Sequence, residues 1–231
     1  YLRTNVEGTY NVLESAKNLN FSQVLITSTS EVYGTAQYVP INEDHPIVGQ
    51  SPYSASKISA DQLAISYFRS YNLPVKIVRP FNTYGPRQST RAIIPTIISQ
   101  CLSGQKTINL GNINTSRDLT FVEDTCSGFL SIMEADSSFG DVVNIGMNNE
   151  ISIKQLVESI TQIFNVNLSI ITDNKRVRPS KSEVNRLVCD NSKIIKDTKW
   201  VPRYNIKTGL SKTVKWFMKN KTLYTKNEYH V

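Results

Sequence analysis

Two short β-rich runs, Gln23–Ser28 and Val75–Val78, stand on either side of a long helical segment, and another helical pattern precedes the first run. That order constrains the fold more than any other feature of the chain. Strands joined by a helical crossover lie parallel, with the helices packed on the faces of their sheet. The first helix is read from Val6, Tyr10, Leu13 and Ala16, which recur at helical spacing. The second spans about Tyr53 to Tyr71, with Ile58, Leu63, Ile65 and Phe68 available for its apolar side, until Asn72-Leu73-Pro74 breaks it.

After Pro86 the pattern changes. Helices are expected near Ile93–Ser103, Glu123–Glu134, Ile153–Phe164 and Ile206–Lys219. Short strands are expected near Thr107–Leu110, Val142–Ile145 and Leu168–Thr172. The reading is an α/β protein: residues 1–85 form a parallel sheet with crossover helices, and residues 86–231 form a smaller mixed lobe with some segments returning to that sheet.

With 231 residues, 39% of them hydrophobic, the chain buries a real core. No stretch approaches the roughly 20 apolar residues that a membrane span needs. The chain opens on Tyr1-Leu2-Arg3, in mid-pattern and without a secretory leader, which suggests truncation. Cys101, Cys126 and Cys189 are far apart and unpaired in spacing, so neither disulfides nor a zinc site is expected and a reducing cytoplasm fits. His45 and His230 are the sole histidines, which gives little support to a His-based metal cluster or a serine-type triad, and each is read as a surface residue. The net charge of +7 is spread as scattered lysines, with no basic run and no aromatic–basic signature, so nucleic acid is not the expected partner.

Four segments carry polar side chains where ligands bind in open α/β sheets, near strand ends. The first is Ser28-Thr29-Ser30-Glu31-Val32-Tyr33-Gly34. If the backbone stays extended there, alternation puts Thr29 and Glu31 on one side; the bland reading is a solvated loop. The second is Tyr53-Ser54-Ala55-Ser56-Lys57, whose spacing of four puts Tyr53 and Lys57 on one helical face. A cation about 4 Å away at an effective dielectric near 20 contributes about 4 kcal/mol, roughly three pKa units, enough to bring a phenol near neutrality. Alone, that spacing is also what a surface Tyr–Lys pair shows. The third is Arg79-Pro80-Phe81-Asn82-Thr83-Tyr84-Gly85-Pro86-Arg87, read as an irregular turn in which Asn82 can meet a ligand. The fourth, Arg117 to Asp124, is read as a loop entering a helix, where Arg117 can meet a phosphate or simply close a helix-start ion pair.

In this order, and with Thr4-Asn5-Val6-Glu7-Gly8-Thr9, Arg178-Pro179-Ser180-Lys181-Ser182-Glu183 and Asp190-Asn191-Ser192-Lys193, the segments resemble the extended short-chain dehydrogenases, the NAD-dependent epimerases and dehydratases of nucleotide sugars. The resemblance covers essentially the whole chain. Glu31 distinguishes the reaction, because sugar 4,6-dehydratases carry Glu at that position and epimerases generally a small or apolar residue. Thr29-Ser30-Glu31 is similar to the GDP-mannose enzymes. The fuller string through Lys57, the Arg178–Glu183 run and the ending Tyr229-His230-Val231 look most like bacterial N-acetylglucosamine-nucleotide 4,6-dehydratases of the legionaminic acid pathway.

The resemblance implies a Rossmann-like fold with a C-terminal substrate-binding lobe, a bound NAD, a GDP- or UDP-linked sugar and a homodimer through the two long helices. Tyr53, assisted by Lys57, takes the proton of the sugar 4-hydroxyl as C4 is oxidised, and Thr29 aligns that hydroxyl. Glu31 then removes the C5 proton and the 6-hydroxyl leaves as water. Ser30 stands where the dTDP-glucose enzymes have an acid, so the proton for that water comes from bound water or from Glu31. Asn5, Ser28, Tyr53, Lys57 and Pro80 are expected against the cofactor, and Ser30, Asn82, Arg91, Arg117, Arg178 and Glu183 against the substrate. The family's opening strand and Gly-rich turn for the NAD pyrophosphate do not occur in this sequence. Family analogy puts about 85–95 residues ahead of Tyr1, and the chain by itself is expected to lack NAD affinity and activity. The competing readings are a 4-epimerase, which needs no base at C5, and a non-catalytic binding protein on the same scaffold.

Overall fold

The computed structural model describes residues 1–173, 184 and 186–221. A π-helical turn over Leu2–Glu7 runs into helix α1 (Gly8–Asn18), followed by strand β1 (Val24–Thr27), helix α2 (Pro52–Tyr71) and strand β2 (Val75–Pro80). β1 pairs in parallel with β2, from Val24↔Val75 to Thr27↔Val78. The third strand of this sheet comes from much later in the chain: β6 (Val142–Ile145) lies parallel to β2, from Ile77↔Val142 to Pro80↔Ile145.

The alternation of side chains along β2 separates two cores. Val75 and Ile77 face Leu13 and Ala16 of α1 and Ala64 and Tyr67 of α2. Val78, with Val143 and Ile145, faces Ile132 of α4 (Val122–Glu134) and Ile194 of α6 (Ser192–Thr198). This is a parallel sheet covered on both faces, as the helix–strand order predicts.

The buried side of α2 is not the one the large apolar residues suggest. Ser54, Ser56, Ala60, Asp61, Ala64 and Tyr67 are buried, whereas Ile58, Leu63, Ile65 and Phe68 are only partly so. Small side chains let the helix approach the sheet closely, and a polar pair replaces bulk at Asp61. In the first helix, likewise, Leu13 and Ala16 are buried but Tyr10 remains exposed.

The second region is built on β3 (Asn82–Tyr84), β5 (Ser116–Phe121), β7 (Glu150–Ser152) and β9 (Arg186–Leu187). β5 is parallel to β3 and β9 and antiparallel to β7. A separate parallel pair joins β4 (Thr107–Leu110) to β8 (Ser169–Thr172). Helices α3 (Ile93–Leu102), α5 (Ile153–Phe164) and α7 (Ile206–Lys219) enclose an apolar core around Ile97, Leu156, Val214 and Phe217.

Two expected loops are therefore strands. Asn82–Tyr84 is β3 rather than part of a turn, and Arg117 lies on β5, which continues to Phe121 before α4 begins. Asp118 and Thr120, both 0% exposed, hide this strand from apolar patterning. The Asp118 carboxylate accepts the backbone N–H groups of Met147 at 2.8 Å and Cys189 at 3.1 Å. His45 is also corrected. It is 2% exposed, accepts the Gln37 N–H at Nε2 and lies 2.8 Å from the Pro46 carbonyl at Nδ1. It clamps a loop from inside. His230 lies outside the described residues.

Candidate active site

Parallel pairing brings the carboxyl ends of β1 and β2 side by side, and the Ser28 N–H extends the ladder to the Val78 carbonyl at 2.7 Å. Thr29 is still extended (φ −159°, ψ 151°), but the chain then closes into a 3-10 turn over Ser30–Tyr33. The Thr29 hydroxyl caps this turn by accepting the Glu31 N–H at 3.2 Å. A capped turn, not strand alternation, therefore places Glu31 beside Thr29. Gly34 ends the turn at φ +64°, where an added Cβ would stand 2.8 Å from the Val48 carbonyl oxygen.

Tyr53 enters from the other side, on the first turn of α2. Ser51 and Ser54 form a reciprocal capping box and Pro52 opens the helix, so the approach of the phenol is fixed by local sequence. Tyr53 is half-buried, hydrogen-bonds Thr29 through their side chains and feels the charge of Glu31. Burial raises its pKa, Glu31 adds to that rise, and the Thr29 bond opposes it. The expected lowering by Lys57 is not found. The Lys57 ammonium donates instead to the Thr27 carbonyl at the end of β1, 2.5 Å away. Burial lowers the pKa of this lysine and Asp61 counteracts it.

Two hollows meet at Glu31. One, of about 340 Å³, is lined by Tyr1, Glu31, Ser51, Tyr53 and Val184 among others. The other, of about 310 Å³, is lined by Glu31, Asn82, Gln88, Arg91 and Arg117 with the apolar walls of Ile94, Leu110 and Leu119. Asn82 Oδ1 in this second hollow is buried without a hydrogen-bond partner among the described residues. Arg117 donates to the Ser116 carbonyl at 2.8 Å, and Arg91 is exposed.

Thr29, Glu31 and Tyr53 are thus brought together, with Lys57 one turn behind Tyr53, while Asn82, Arg91 and Arg117 share the neighbouring hollow. Ser30 is 3% exposed and lies beneath this surface. The Ser28 hydroxyl donates inward to Asp61 at 2.9 Å, and the Asn5 amide donates to Ser56 at 2.9 Å. Pro80 is the last residue of β2 and is partly buried. Arg178 and Glu183 lie outside the described residues.

Sequence reasoning named Arg79 and Tyr33 within its segments but gave them no role, and it passed over Asp61, Asn144 and Gln88. Arg79 follows Val75-Lys76-Ile77-Val78 in the same strand and Asp61 follows Lys57 by four, so a charge in a buried strand opposite a helical carboxylate was the available signal. Gln88 lines the second hollow, where its amide nitrogen donates to the Thr83 carbonyl at 3.0 Å.

The residues present fit the nicotinamide–ribose end of a dinucleotide. A phenol and an ammonium, both hydroxyl-binding donors, sit at the end of a parallel strand next to a hollow that already holds a carboxylate.

A family model described as GDP-mannose 4,6 dehydratase matches residues 1–213. Among curated proteins, a dTDP-glucose 4,6-dehydratase of Streptomyces antibioticus is 30% identical over 221 residues, covering 96% of this chain and 65% of its own length. The chain thus spans a little under two thirds of that relative. The structure of dTDP-glucose 4,6-dehydratase from Bacillus anthracis str. Ames in complex with NAD superimposes with a TM-score of 0.86 at 33% identity, over 96% of this chain and 70% of that one. UDP-glucuronic acid 4-epimerase from Bacillus cereus, in complex with UDP-glucuronic acid and NAD, gives a TM-score of 0.88 at 25% identity, over 95% and 69%. The chain belongs to the GDP-mannose 4,6 dehydratase family, among the epimerases and dehydratases that share the Rossmann-like fold.

Proposed function

We propose that the protein carrying this chain is an NAD-dependent nucleotide-sugar 4,6-dehydratase acting on a GDP- or UDP-linked N-acetylglucosamine-type sugar. The observation that carries this reading is the position of Glu31, a carboxylate beside the Tyr53 phenol at the meeting point of two hollows. A 4-epimerase acts at C4 alone and has no use for a second base there. The legionaminic-type substrate rests on the sequence string from Thr29 to Lys57. Bound NAD would supply the acceptor and donor for the redox chemistry at C4 and C6.

In this scheme Tyr53 takes the proton of the 4-hydroxyl, which Thr29 holds in line by hydrogen bonding. Lys57, anchored at the Thr27 carbonyl, would bind the cofactor ribose with its remaining donors and lend positive charge to the site. Glu31 removes the C5 proton made acidic by the 4-keto group. With Ser30 buried, the proton that leaves with the 6-hydroxyl comes from Glu31 itself or from water held by it. Asn82 and Arg117 hold the sugar diphosphate, Arg91 the outer phosphate, and Arg178 and Glu183 the nucleoside; Asn5, Ser28 and Pro80 support the cofactor side. No described helix is long and apolar enough to cross a membrane, and the three cysteines are free. We place the reaction in the cytoplasm, in a homodimer formed through α1 and α2, whose Tyr10, Val12 and Tyr71 are exposed.

The test separates the two bases in the full-length protein. With substrate, Glu31→Gln is expected to accumulate NADH absorbance, to stop C5 exchange with solvent deuterium and to yield no 4-keto-6-deoxy product. Tyr53→Phe is expected to give no NADH signal, with rates down by ~10²–10⁴-fold. Near-normal turnover and C5 exchange in Glu31→Gln would make the epimerase reading the better one.

A further inference from the structure

Beneath the Tyr53–Lys57 pair lies a polar cluster in which Asp61, Arg79, Tyr33 and Asn144 have no part in the chemistry above. Asp61, one helical turn beyond Lys57 on α2, is 0% exposed. Three donors converge on its Oδ2: Ser28 Oγ at 2.9 Å, Arg79 Nη2 at 2.9 Å and Arg79 Nε at 3.1 Å. Its Oδ1 is buried and has no hydrogen-bond partner among the described residues. Arg79 is not free to serve it, because Nη1 donates to the Tyr33 hydroxyl at 3.0 Å and that hydroxyl donates to Asn144 Oδ1 at 2.8 Å. Buried polar atoms are almost always paired, so a lone carboxylate oxygen under a candidate active site points to a group that it serves.

Lys57 is the cation on the same helical face, and the Asp61 charge acts on it without a direct hydrogen bond. Residues four apart share a helical face, and its ammonium carries three donors, of which the Thr27 carbonyl takes one. The charged and titratable groups around it are Tyr53 and Asp61 on its own helix and Arg79 on β2, behind Asp61; β1 offers only the Thr27 carbonyl.

We propose that Asp61 is a positioning residue for Lys57: Oδ1 supplies the negative charge that holds the half-buried ammonium at the carboxyl end of β1, while Oδ2 ties that strand's exit to helix α2. This deepens the proposed site and takes the importance of Lys57 from it, but the measurement below needs neither cofactor nor substrate. A merely structural Asp61–Arg79 pair would stabilise the fold and leave the lysine's titration alone.

The experiment is competitive acetylation with limiting acetic anhydride between pH 6 and 11, read by peptide mass spectrometry, with the exposed Lys154 and Lys207 as internal references. The plateau at high pH reports access to Lys57 and the midpoint reports its protonation. In Asp61→Asn the midpoint is expected to fall by about one pH unit, making Lys57 react about tenfold faster at pH 8 with an unchanged plateau. Asp61→Asn leaves Arg79 as a buried charge without its partner. A second variant, Asp61→Leu/Arg79→Met, therefore removes both charges at once, a change that folds commonly tolerate. It is expected to lower the midpoint by a smaller amount, because the Arg79 charge that opposes the ammonium goes too, and it decides the matter if Asp61→Asn does not fold. A folded variant in which the Lys57 midpoint matches that of the unsubstituted chain would overturn the proposal. That outcome is independent of the Glu31→Gln experiment, which tests the reaction and not the support of Lys57.

Discussion

The two regions that meet at Glu31 rest on different floors. Under the Tyr53 hollow the floor is a buried polar network of Ser28, Asp61, Arg79, Tyr33 and Asn144, each bonded to the next. Under the Asn82–Arg117 hollow it is an apolar core in which Ile97, Leu156 and Phe217 are all fully buried. A region that must hold charged and proton-carrying groups at fixed positions benefits from directional bonds, whereas one that must close on a ligand's bulk needs only packed shape.

The contrast can be broken most sharply at Arg79. Arg79→Met leaves the Asp61 carboxylate buried without its cation and is expected to cost ~3–5 kcal/mol in urea denaturation. A loss no larger than the 1 kcal/mol or so typical of exposed ion pairs would show that the network adds little. Next comes the apolar floor. Leu156→Ala opens a cavity at a site with 0% exposure and is expected to cost ~2–5 kcal/mol by the same measurement, with Lys57 labelling unchanged. Any change in that labelling would mean that the two floors act as one body.

The smallest effect sharpens the picture, because one carboxylate lies buried in the second region. Burial pushes Asp118 up to about 6, against the pull of backbone N–H donors from Met147, Cys189, Asn149 and Asn148. Its folded pKa is raised, so the fold holds the proton more tightly than the unfolded chain does. Stability from this group is fullest below about pH 4 and is lost as pH rises through about 6, by at most about 3 kcal/mol. Most carboxylates act in the opposite direction, as the lowered pKa of Glu150 beside Arg186 and Ser116 illustrates. Comparing denaturation of the unsubstituted chain and Asp118→Asn at pH 4, 5 and 6 isolates the slope. An identical pH dependence in both would show that the N–H donors cancel burial.

What was legible in the sequence follows this division. Strands such as Val142–Ile145 and helices such as Ile153–Phe164 are apolar in period, and the structure places them at those residues. The Tyr–Lys pair was legible from helical spacing alone, whereas the strand-exit segment was read as extended and is a 3-10 turn capped by Thr29. β5 was not legible, since Asp118 and Thr120 take their partners or their burial from distant segments. The buried side of α2 was misjudged for the same reason: Asp61 is inside only because Arg79 and Ser28 meet it there. His45 reads as a surface residue until Gln37 and Pro46 close around its ring.

The parallel pairing of β2 with β6 has a consequence for the order of assembly. α1, β1, α2 and β2 are contiguous in the chain, but β2 gains its second neighbour only when Val142–Ile145 has been synthesised and brought back. Closing so long a loop is paid in chain entropy before any contact rewards it, which makes this step slow relative to local helix formation. Until then β2 presents an open edge with unpaired backbone groups, of the kind that pairs with other chains. The Phe81 N–H donates to the Ile145 carbonyl at 2.8 Å, directly ahead of Asn82. The floor beneath Tyr53 is therefore completed late, and a nascent chain stalled before β6 exposes the edge without Asn144 in the network.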